Sequence, residues 1–507
     1  MISLAAPDAT MYWLSRRTRN DQFLLYCFAE SDRADSALRD EILQRCAAVP
    51  ELRQRLHEDR TGLAYPMWIP AEPTAAQIRQ HRLPAPHWPE LLTALGRLTG
   101  TGVDARESPW LLHIFRGIRD SPVPDPQATV VVLQISHALV DGRGAARIAR
   151  ALFTEPTSWD VPAPESPGAE LAPQAGLSVA RAGEPVSKVG ESDRAGSSGR
   201  EFTSSGAAGP APVPHTGALP MGHRTSPGVI SAVRLASLRA AVLLPVGVAR
   251  TVRRGLAAAR ARNELAALTA AGRVPPPGPG YPPGPLNRPA VVAGHAVRML
   301  VCPAEDFRVP GLSVTVVGLT AVSIAVEQYL RGRGAEVTRL GAQVPMALPT
   351  RRGVRNNYRS LGVDLAAGEQ DPRRRAAAIA AELAARRERA RHPLHDAQDA
   401  VDAVLPPLLL RRDVRTYPIH STPEQITGHT VVSSVNRGPA DLTFGGAPVR
   451  FTGGFPALGA VMHLTHGIHG LGETVTLSVH ADPDVVDPDI YAGHLRDALR
   501  ELPRLRG

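Results

Sequence analysis

Aromatic residues and cysteines are scarce in this 507-residue chain. Phenylalanine, tryptophan and tyrosine together make up 4% of the sequence, and the three cysteines are Cys27, Cys46 and Cys302. Thiols so far apart exclude a disulfide framework and a closely spaced zinc site. None of them is flanked by a motif that activates a thiol, so we expect structural cysteines in a reducing compartment.

A metal site built from histidines is also excluded by the sequence pattern. His463, His466 and His469 stand three residues apart near the C-terminus. They fall in a predicted hairpin strand, where a spacing of three sends neighbouring side chains to opposite faces. Because the three rings cannot converge on one ion, we predict no metal site.

Charge is modest for this length. The chain has 57 basic and 48 acidic residues, a formal net charge of +9. With no zinc-finger spacing and no aromatic platform, a nucleic-acid partner is disfavoured, and the phosphates of coenzyme A or anionic lipid headgroups suit this charge better. The sequence does not open on a basic stretch followed by an apolar signal core. We expect a cytoplasmic protein, with the inner membrane face as a candidate peripheral location.

Proline and glycine are abundant and unevenly placed, with 48 and 45 residues respectively. The length exceeds that of one domain, so we predict an N-terminal domain over residues 1–154 and a C-terminal domain over 290–507. Residues 155–228 are rich in Ala, Gly, Pro and Ser and are predicted to be a disordered insertion. Residues 229–289 are predicted to form a basic amphipathic helix followed by a Pro/Gly-rich linker.

The basic helix, residues 229–272, carries seven arginines against the single acid Glu264. Its apolar stretch, residues 240–249, is expected to be interrupted by Pro245 and is shorter than the roughly 20 residues that span a bilayer. The helix could lie on a membrane surface. The alternative, slightly preferred on sequence alone, is a helix packed on the fold with its arginines in water.

A histidine and an Asp-Gly pair follow the most strand-like stretch of the chain. Residues 128–135 form a continuous apolar, β-branched run, and helical spacing begins after Gly142. His137 therefore lies on a strand-to-helix connection, where an imidazole could act as a general base. Asp141 either accepts from that imidazole or holds the loop through backbone and an arginine. Gly142 permits a backbone conformation closed to other residues. An ordinary turn beside a histidine remains the alternative.

Segment 136–142 resembles the His-His-x-x-x-Asp-Gly motif of the CoA-dependent acyltransferase superfamily, whose second histidine is the catalytic base. His137 takes that second position and Ser136 the first. Further elements resemble the wax ester synthase/diacylglycerol acyltransferase branch and occur in its order. They are residues 50–55, Leu83-Pro84, Ser108-Pro109-Trp110, Val344-Pro345, Asn356-Asn357, Asp371-Pro372 and residues 433–439.

This resemblance implies an α/β fold of two chloramphenicol-acetyltransferase-like domains, each a mixed β-sheet with flanking helices, and an active-site tunnel at their interface. It further implies transfer of a fatty acyl group from acyl-CoA, the co-substrate, to an alcohol or diacylglycerol, without a permanently bound cofactor or a covalent acyl-enzyme. Two alternatives stay open. One is a condensation-type acyltransferase that uses a carrier-protein thioester, and the other is a family member that binds acyl ligands without turnover.

One element departs from the branch. Its Thr-Val-Asn-Asp appears here as Ser313-Val314-Thr315-Val316, which lacks the Asn-Asp pair. Ser136, Thr315 and Asn436 are candidates for contacts with an oxyanion or with the acceptor. For Thr315 and Asn436, packing or turn formation is the preferred interpretation.

Overall fold

The computed structural model describes residues 2–59, 61–154, 227–288, 292, 294–419 and 421–505. Most of the predicted disordered insertion, residues 155–226, therefore lies outside the described residues. Ahead of it the strands are β1 (Ile2–Ser3), β2 (Gln22–Ala29), β3 (Gln54–His57), β4 (Met67–Pro70), β5 (Ile78–His81), β6 (Trp110–Ile118) and β7 (Ala128–Ile135). The helices there are α1 (Ala6–Ser15), α2 (Asp35–Ala48), α3 (Trp88–Thr99) and α4 (Gly142–Phe153).

The later part of the chain begins with a long helix, α5 (Pro227–Ala270), and ends with another, α10 (Pro488–Glu501). Between them the strands are β8 (Ala296–Pro303), β9 (Gly341–Ala347), β10 (Tyr358–Asp364), β11 (Thr430–Asn436), β12 (Thr443–Phe444), β13 (Ala447–Gly454), β14 (Leu464–Leu471) and β15 (Thr474–Ala481). The remaining helices are α6 (Val314–Gly332), α7 (Pro372–Ala390), α8 (Asp396–Asp402) and α9 (Pro407–Thr416).

Two six-stranded mixed sheets carry the architecture. The first has the order β12-β13-β2-β7-β6-β5, in which only the β5–β6 pair is parallel. The second has the order β10-β9-β11-β14-β15-β8, and β11 runs parallel to both of its neighbours. A small sheet, β1-β4-β3, lies beside them. Sheets of mixed direction with flanking helices confirm the predicted α/β class.

The first sheet contains strands from both the N-terminal and the C-terminal part of the chain. Its strands β12 and β13 come from residues 443–454, yet β13 pairs with β2 from Gly454↔Leu24 to Val449↔Phe28. β13 also contacts β14 and β15 of the second sheet. The first sheet therefore contains chain from both sides of residue 290, and the two sheets are held together by more than a linker.

The central strand β7 explains why the first sheet can hold a loop firmly. All eight of its residues are buried, as expected for a run such as Val130-Val131-Val132 covered on both faces. Its neighbours β2 and β6 pair with it up to its last residue, since Ile135 lies opposite Gln22 and Trp110. The segment that leaves β7 therefore starts from a rigid strand end.

Several buried histidines of the two sheets make hydrogen bonds as neutral side chains. In the second sheet the His466 Nε2 atom lies 2.5 Å from the Tyr491 hydroxyl, and the His480 Nδ1 atom lies 2.9 Å from the Pro456 carbonyl. Burial lowers the pKa of His466, His480 and His113 to about 3. His463, one of the spaced histidines, bonds Asp482 instead of a neighbouring histidine.

These histidines predict a loss of stability in mild acid. Their folded-state pKa values lie below the ordinary 6.5, so the unfolded chain takes up protons first as the pH falls. Stability that is fully present above pH 6.5 should therefore decline between pH 6.5 and about 3, with each pKa unit worth about 1.4 kcal/mol per group. Urea unfolding followed by circular dichroism at pH 7, 5.5 and 4.5 measures this decline. His480→Gln should make it shallower, and a midpoint that does not move with pH would contradict the prediction.

The interruption expected at Pro245 does not occur, because α5 continues through this proline as one helix of 44 residues. One side of it packs against the chain between α7 and α9. Thr251 Oγ1 donates to the Val404 carbonyl (3.2 Å) and Arg254 Nη1 donates to the Ala400 carbonyl (2.8 Å). By length and composition, Leu235–Ala270 could also cross a membrane, and it is the only such helix among the described residues.

The other side of α5 exposes apolar side chains. Eight large apolar side chains of α5 are between 40% and 70% accessible, and six of them share one side of the helix, namely Leu235, Leu238, Val242, Val246, Val252 and Leu256. At 3.6 residues per turn these six fall within about one third of the helix circumference. We call this set the outer stripe. Among the described residues, α5 thus packs on the fold along one side and exposes apolar side chains along the other. Contact of the exposed side with a membrane stays a prediction.

Candidate active site

His137 lies in the short connection between β7 and α4 and is fully buried. Backbone hydrogen bonds hold the connection in place directly after the end of β7. Ser136 N donates to the Pro109 carbonyl (2.8 Å), and Leu139 N donates to the Ser136 carbonyl (2.9 Å). The tight turn that results presents the imidazole at the end of the first sheet, as the strand-loop-helix pattern predicts.

Asp141 closes this connection by capping α4. Its Oδ1 atom accepts from Gly144 N (2.9 Å), and its own backbone N donates to the Arg355 carbonyl (3.2 Å). Burial raises the pKa of the Asp141 carboxyl above its ordinary value. An arginine also supports this loop, because Arg355 Nη1 donates to the Leu139 carbonyl (3.2 Å), although this bond does not involve the Asp141 carboxylate. These bonds are those of a residue that keeps the loop in shape.

Gly142 does not adopt the special backbone conformation expected from sequence. It is the first residue of α4 and is not among the described glycines with positive φ. The physical reason is that Asp141, in extended conformation with φ −81° and ψ −177°, makes the turn into the helix. Gly142 then follows as the first residue of the helix.

Asn356, from the loop before β10, holds the imidazole from the other half of the chain. Its Oδ1 atom lies 2.6 Å from His137 Nδ1, and its Nδ2 atom donates to the His137 carbonyl (2.7 Å) and to Asp8 Oδ1 (2.9 Å). Since Nδ2 is directed at two acceptors, Oδ1 must accept, and Nδ1 of the imidazole must carry the proton. The lone pair of the neutral ring is then on Nε2.

Asp8, in the first turn of α1, fixes Asn356 in turn. Its carboxylate accepts from the backbone N of Asn356 (2.8 Å) and of Arg355 (3.2 Å), in addition to the Asn356 side chain. Burial raises the pKa of Asp8 to about 6, against the lowering effect of these bonds. Above that pH a buried carboxylate holds the amide by charge-assisted hydrogen bonds, which are stronger than neutral ones.

A cavity of about 430 Å³ reaches these residues from the side of α1 and α9. Asn356 and Tyr358 line it near His137, Thr10 and Met11 line it from α1, and Val414 lines it from α9. The Tyr358 ring is centred 5.9 Å from the His137 ring. The arrangement places a neutral, oriented imidazole beside a chamber that is large enough for part of a substrate.

Family profiles match both halves of the chain. The profile described as the wax ester synthase/diacylglycerol acyltransferase catalytic domain matches residues 4–289, and the WS/DGAT C-terminal domain matches residues 355–503. The chain belongs to the wax ester synthase/diacylglycerol acyltransferase family. The resemblance carried by the ordered motifs is thereby confirmed.

Curated relatives of this family member come from Mycobacterium tuberculosis. The chain is 28% identical over 151 residues to the probable diacylglycerol O-acyltransferase tgs3 of strain CDC 1551 / Oshkosh, and equally to that of strain ATCC 25618 / H37Rv. The match covers 27% of this chain and 56% of each relative. The chain thus spans little more than half the length of the curated relatives it matches.

Solved structures agree on the fold. A wax ester synthase/diacylglycerol acyltransferase from Marinobacter aquaeolei VT8 superposes with a TM-score of 0.57 at 16% identity, over 99% of this chain and 98% of that one. The first condensation domain of the calcium-dependent antibiotic synthetase superposes with a TM-score of 0.50 at 14% identity, over 100% of this chain and 95% of that one. At such identities the comparison concerns the fold, and it confirms the predicted pair of chloramphenicol-acetyltransferase-like domains.

The other predicted site residues make local contacts in this family member. Ser136 Oγ accepts from Ala138 N (3.3 Å), and Thr315 Oγ1 donates to Ser434 Oγ (2.9 Å). Asn436 is exposed, and its Oδ1 atom accepts from Gly438 N (3.0 Å). These bonds are those of a turn, a helix-strand contact and a second turn, so their part in the chemistry stays a prediction.

Three residues of the site were missed by sequence reasoning. Asn356 stood within a recognised element but without a role, and Tyr358 carried no signal. A carboxylate in an otherwise apolar first helix turn was the only hint at Asp8. All three are drawn to His137 by the packing of the two halves.

Proposed function

We propose that this protein is an acyl-CoA-dependent O-acyltransferase that transfers a fatty acyl group to an alcohol or diacylglycerol, with His137 as general base. The observation that carries the proposal is the bond between His137 Nδ1 and Asn356, which leaves the basic lone pair of the ring on Nε2. An imidazole held in this tautomer is prepared to remove a proton from a hydroxyl group. Family membership supports the same chemistry.

The reaction proceeds in two steps without a covalent enzyme intermediate. Nε2 takes the proton of the acceptor hydroxyl while its oxygen attacks the thioester carbonyl carbon, and the carbonyl electrons move to the oxygen. The tetrahedral intermediate then collapses, the carbon–sulfur bond breaks, and the imidazolium returns its proton to the departing thiolate. The products are an ester and free coenzyme A, and His137 is restored to its neutral form. Asp141 keeps the loop in place and takes no proton.

A donor and acceptor panel tests this function. The full chain is incubated with radiolabelled palmitoyl-CoA and, separately, hexadecanol, dipalmitoylglycerol or an amine acceptor, and products are separated by thin-layer chromatography. We expect labelled wax ester or triacylglycerol to form in proportion to time and enzyme. Amide formation alone, or transfer from an acyl carrier protein but not from acyl-CoA, would instead indicate the condensation-type alternative. Saturable binding of acyl-CoA without any product would indicate a non-catalytic member.

We further propose that α5 brings the enzyme to the inner face of the membrane. The outer stripe is apolar, exposed and opposite the packed side of the helix, and exposed arginines such as Arg239, Arg250 and Arg253 adjoin it. Apolar side chains flanked by cations suit an anionic lipid surface. Helix α9, which lines the cavity with Leu410 and Val414, begins directly after the segment that binds α5. A lipid acceptor would then be close to the chamber.

Vesicle co-sedimentation tests this membrane contact. We expect the full chain to bind vesicles that contain phosphatidylglycerol, and to bind less as salt is added, because ions screen the arginines. Leu238→Glu combined with Val242→Glu should weaken binding at least about 10-fold, since burial of each apolar side chain is worth about 1.5–3 kcal/mol. Ile2→Glu combined with Ile490→Glu, which changes two similarly exposed apolar residues elsewhere, is the matched control. Equal loss in both variants would contradict a role for the outer stripe.

A further inference from the structure

Tyr358, a residue that lines the cavity beside His137, carries a hydroxyl group that the described protein does not use. The Tyr358 oxygen is buried, and no hydrogen-bond partner for it lies among the described residues. A buried hydroxyl without a partner costs roughly 1–3 kcal/mol relative to a satisfied one. A buried hydroxyl that the protein leaves without a partner is available to bond a ligand or an ordered water.

The position of this hydroxyl relates it to the reaction. Tyr358 begins β10, two residues after Asn356, and its ring is tilted by 40° against the His137 ring at 5.9 Å. The same residue lines the 430 Å³ cavity. Burial and the nearby Asp141 carboxylate raise the pKa of Tyr358, so the phenol keeps its proton and can only act as a donor if it meets a carbonyl.

We propose that the Tyr358 hydroxyl donates a hydrogen bond to the thioester carbonyl oxygen while His137 activates the acceptor. This assignment rests on the proposed function and names a group that stabilises its transition state. As the acceptor oxygen attacks, negative charge collects on the carbonyl oxygen, and the hydrogen bond strengthens without any proton leaving the phenol. When the intermediate collapses, the charge leaves with the thiolate, which takes its proton from His137. The ester carbonyl is restored.

Sequence-based candidates for this role are less suited. Thr315 donates to Ser434, and the Asn436 side-chain oxygen is exposed and accepts from a backbone amide. Tyr358 is the described side chain that combines contact with His137, a place in the cavity wall and an unused donor. A preorganised donor of this kind contributes through kcat, because it meets full charge only in the transition state.

Tyr358→Phe tests the assignment, since it removes the oxygen and keeps the ring that packs against His137. We expect kcat for ester formation to fall about 100-fold while KM for acyl-CoA changes less than about 2-fold. The affinity for an unreactive ketone analogue of acyl-CoA, in which methylene replaces sulfur, should change less than about 3-fold in calorimetry. The thermal midpoint should not decrease.

Tyr26→Phe is the matched control. Its hydroxyl is likewise buried without a partner among the described residues, but it lies on β2 opposite Val131, four strand residues or about 13 Å from Ile135. Its kcat should stay within about 2-fold of the parent. An unchanged kcat in Tyr358→Phe, or a rise in KM alone, would overturn the assignment. If kcat falls in His137→Ala but not in Tyr358→Phe, the assignment of Tyr358 is overturned and the proposed function stands. If the parent enzyme forms no ester, the proposed function itself is refuted.

Discussion

His137→Ala should lower kcat for ester formation by roughly 100- to 10,000-fold, the range expected for removal of a general base. KM for acyl-CoA should change little, because the imidazole acts on the acceptor proton rather than on the binding of the thioester. Steady-state kinetics with palmitoyl-CoA and the acceptor that the panel identifies measure both constants. The residual rate should reflect substrate alignment and the remaining hydrogen-bond donors.

This substitution also removes a partner of Asn356, so folding must be measured alongside activity. Loss of one buried hydrogen bond costs roughly 1–3 kcal/mol, which a chain of this size should tolerate. His113→Gln is a suitable control, because His113 is another fully buried histidine, on β6, and bonds Gln134 instead of the motif loop. A folded His137→Ala enzyme with unchanged turnover would refute the role of His137 as the base.

Asn356→Ala should also damage the reaction strongly, with kcat reduced by about 100-fold. The amide oxygen keeps the proton on His137 Nδ1, and without it the ring can rotate or adopt the tautomer that blocks Nε2. In hydrolases with a Ser-His-Asp triad, a wrong histidine tautomer lowers kcat further still, by about 10⁴-fold. We expect KM to stay within about 3-fold and the pH profile of kcat to change shape, which simple loss of packing would not cause.

The pair formed by Asp8 and Asn356 offers a sharper test of the same idea. In the parent protein Asn356 Nδ2 lies 2.9 Å from Asp8 Oδ1. Asn356→Asp alone replaces this hydrogen bond by two adjacent carboxylates, which repel each other or share a proton. We expect this variant to lose both stability and activity. Combining it with Asp8→Asn restores one donor and one acceptor across the pair and should recover at least about 10-fold of the lost kcat. Recovery is incomplete because the His137 carbonyl still lacks its donor. No recovery at all would mean that Asp8 and Asn356 do not act together.

The sequence by itself determined the local features of this protein. A buried β-branched run, a histidine, an Asp-Gly pair and a following amphipathic helix are neighbours in the chain, and their geometry depends on short-range hydrogen bonds and side-chain periodicity. The ordered motifs on both sides of His137 then gave the family and, through it, the α/β fold. A bond from nearby backbone to Asp141 was one of two alternatives open on sequence, and such an N-cap contact acts within three residues.

Only the tertiary structure decided what surrounds the imidazole and how the long helix is used. Asn356 is 219 residues from His137, and Asp8 is 348 residues from Asn356, so no local pattern links them. Their meeting depends on the crossing of β12 and β13 into the first sheet and on the packing of α1 against the loop before β10. Likewise, Pro245 suggested a break, but a helix can pass a proline when flanking turns and tertiary contacts such as those of Thr251 support it. Long-range packing, which one sequence does not encode in any single window, therefore set the proton position on which the proposed chemistry depends.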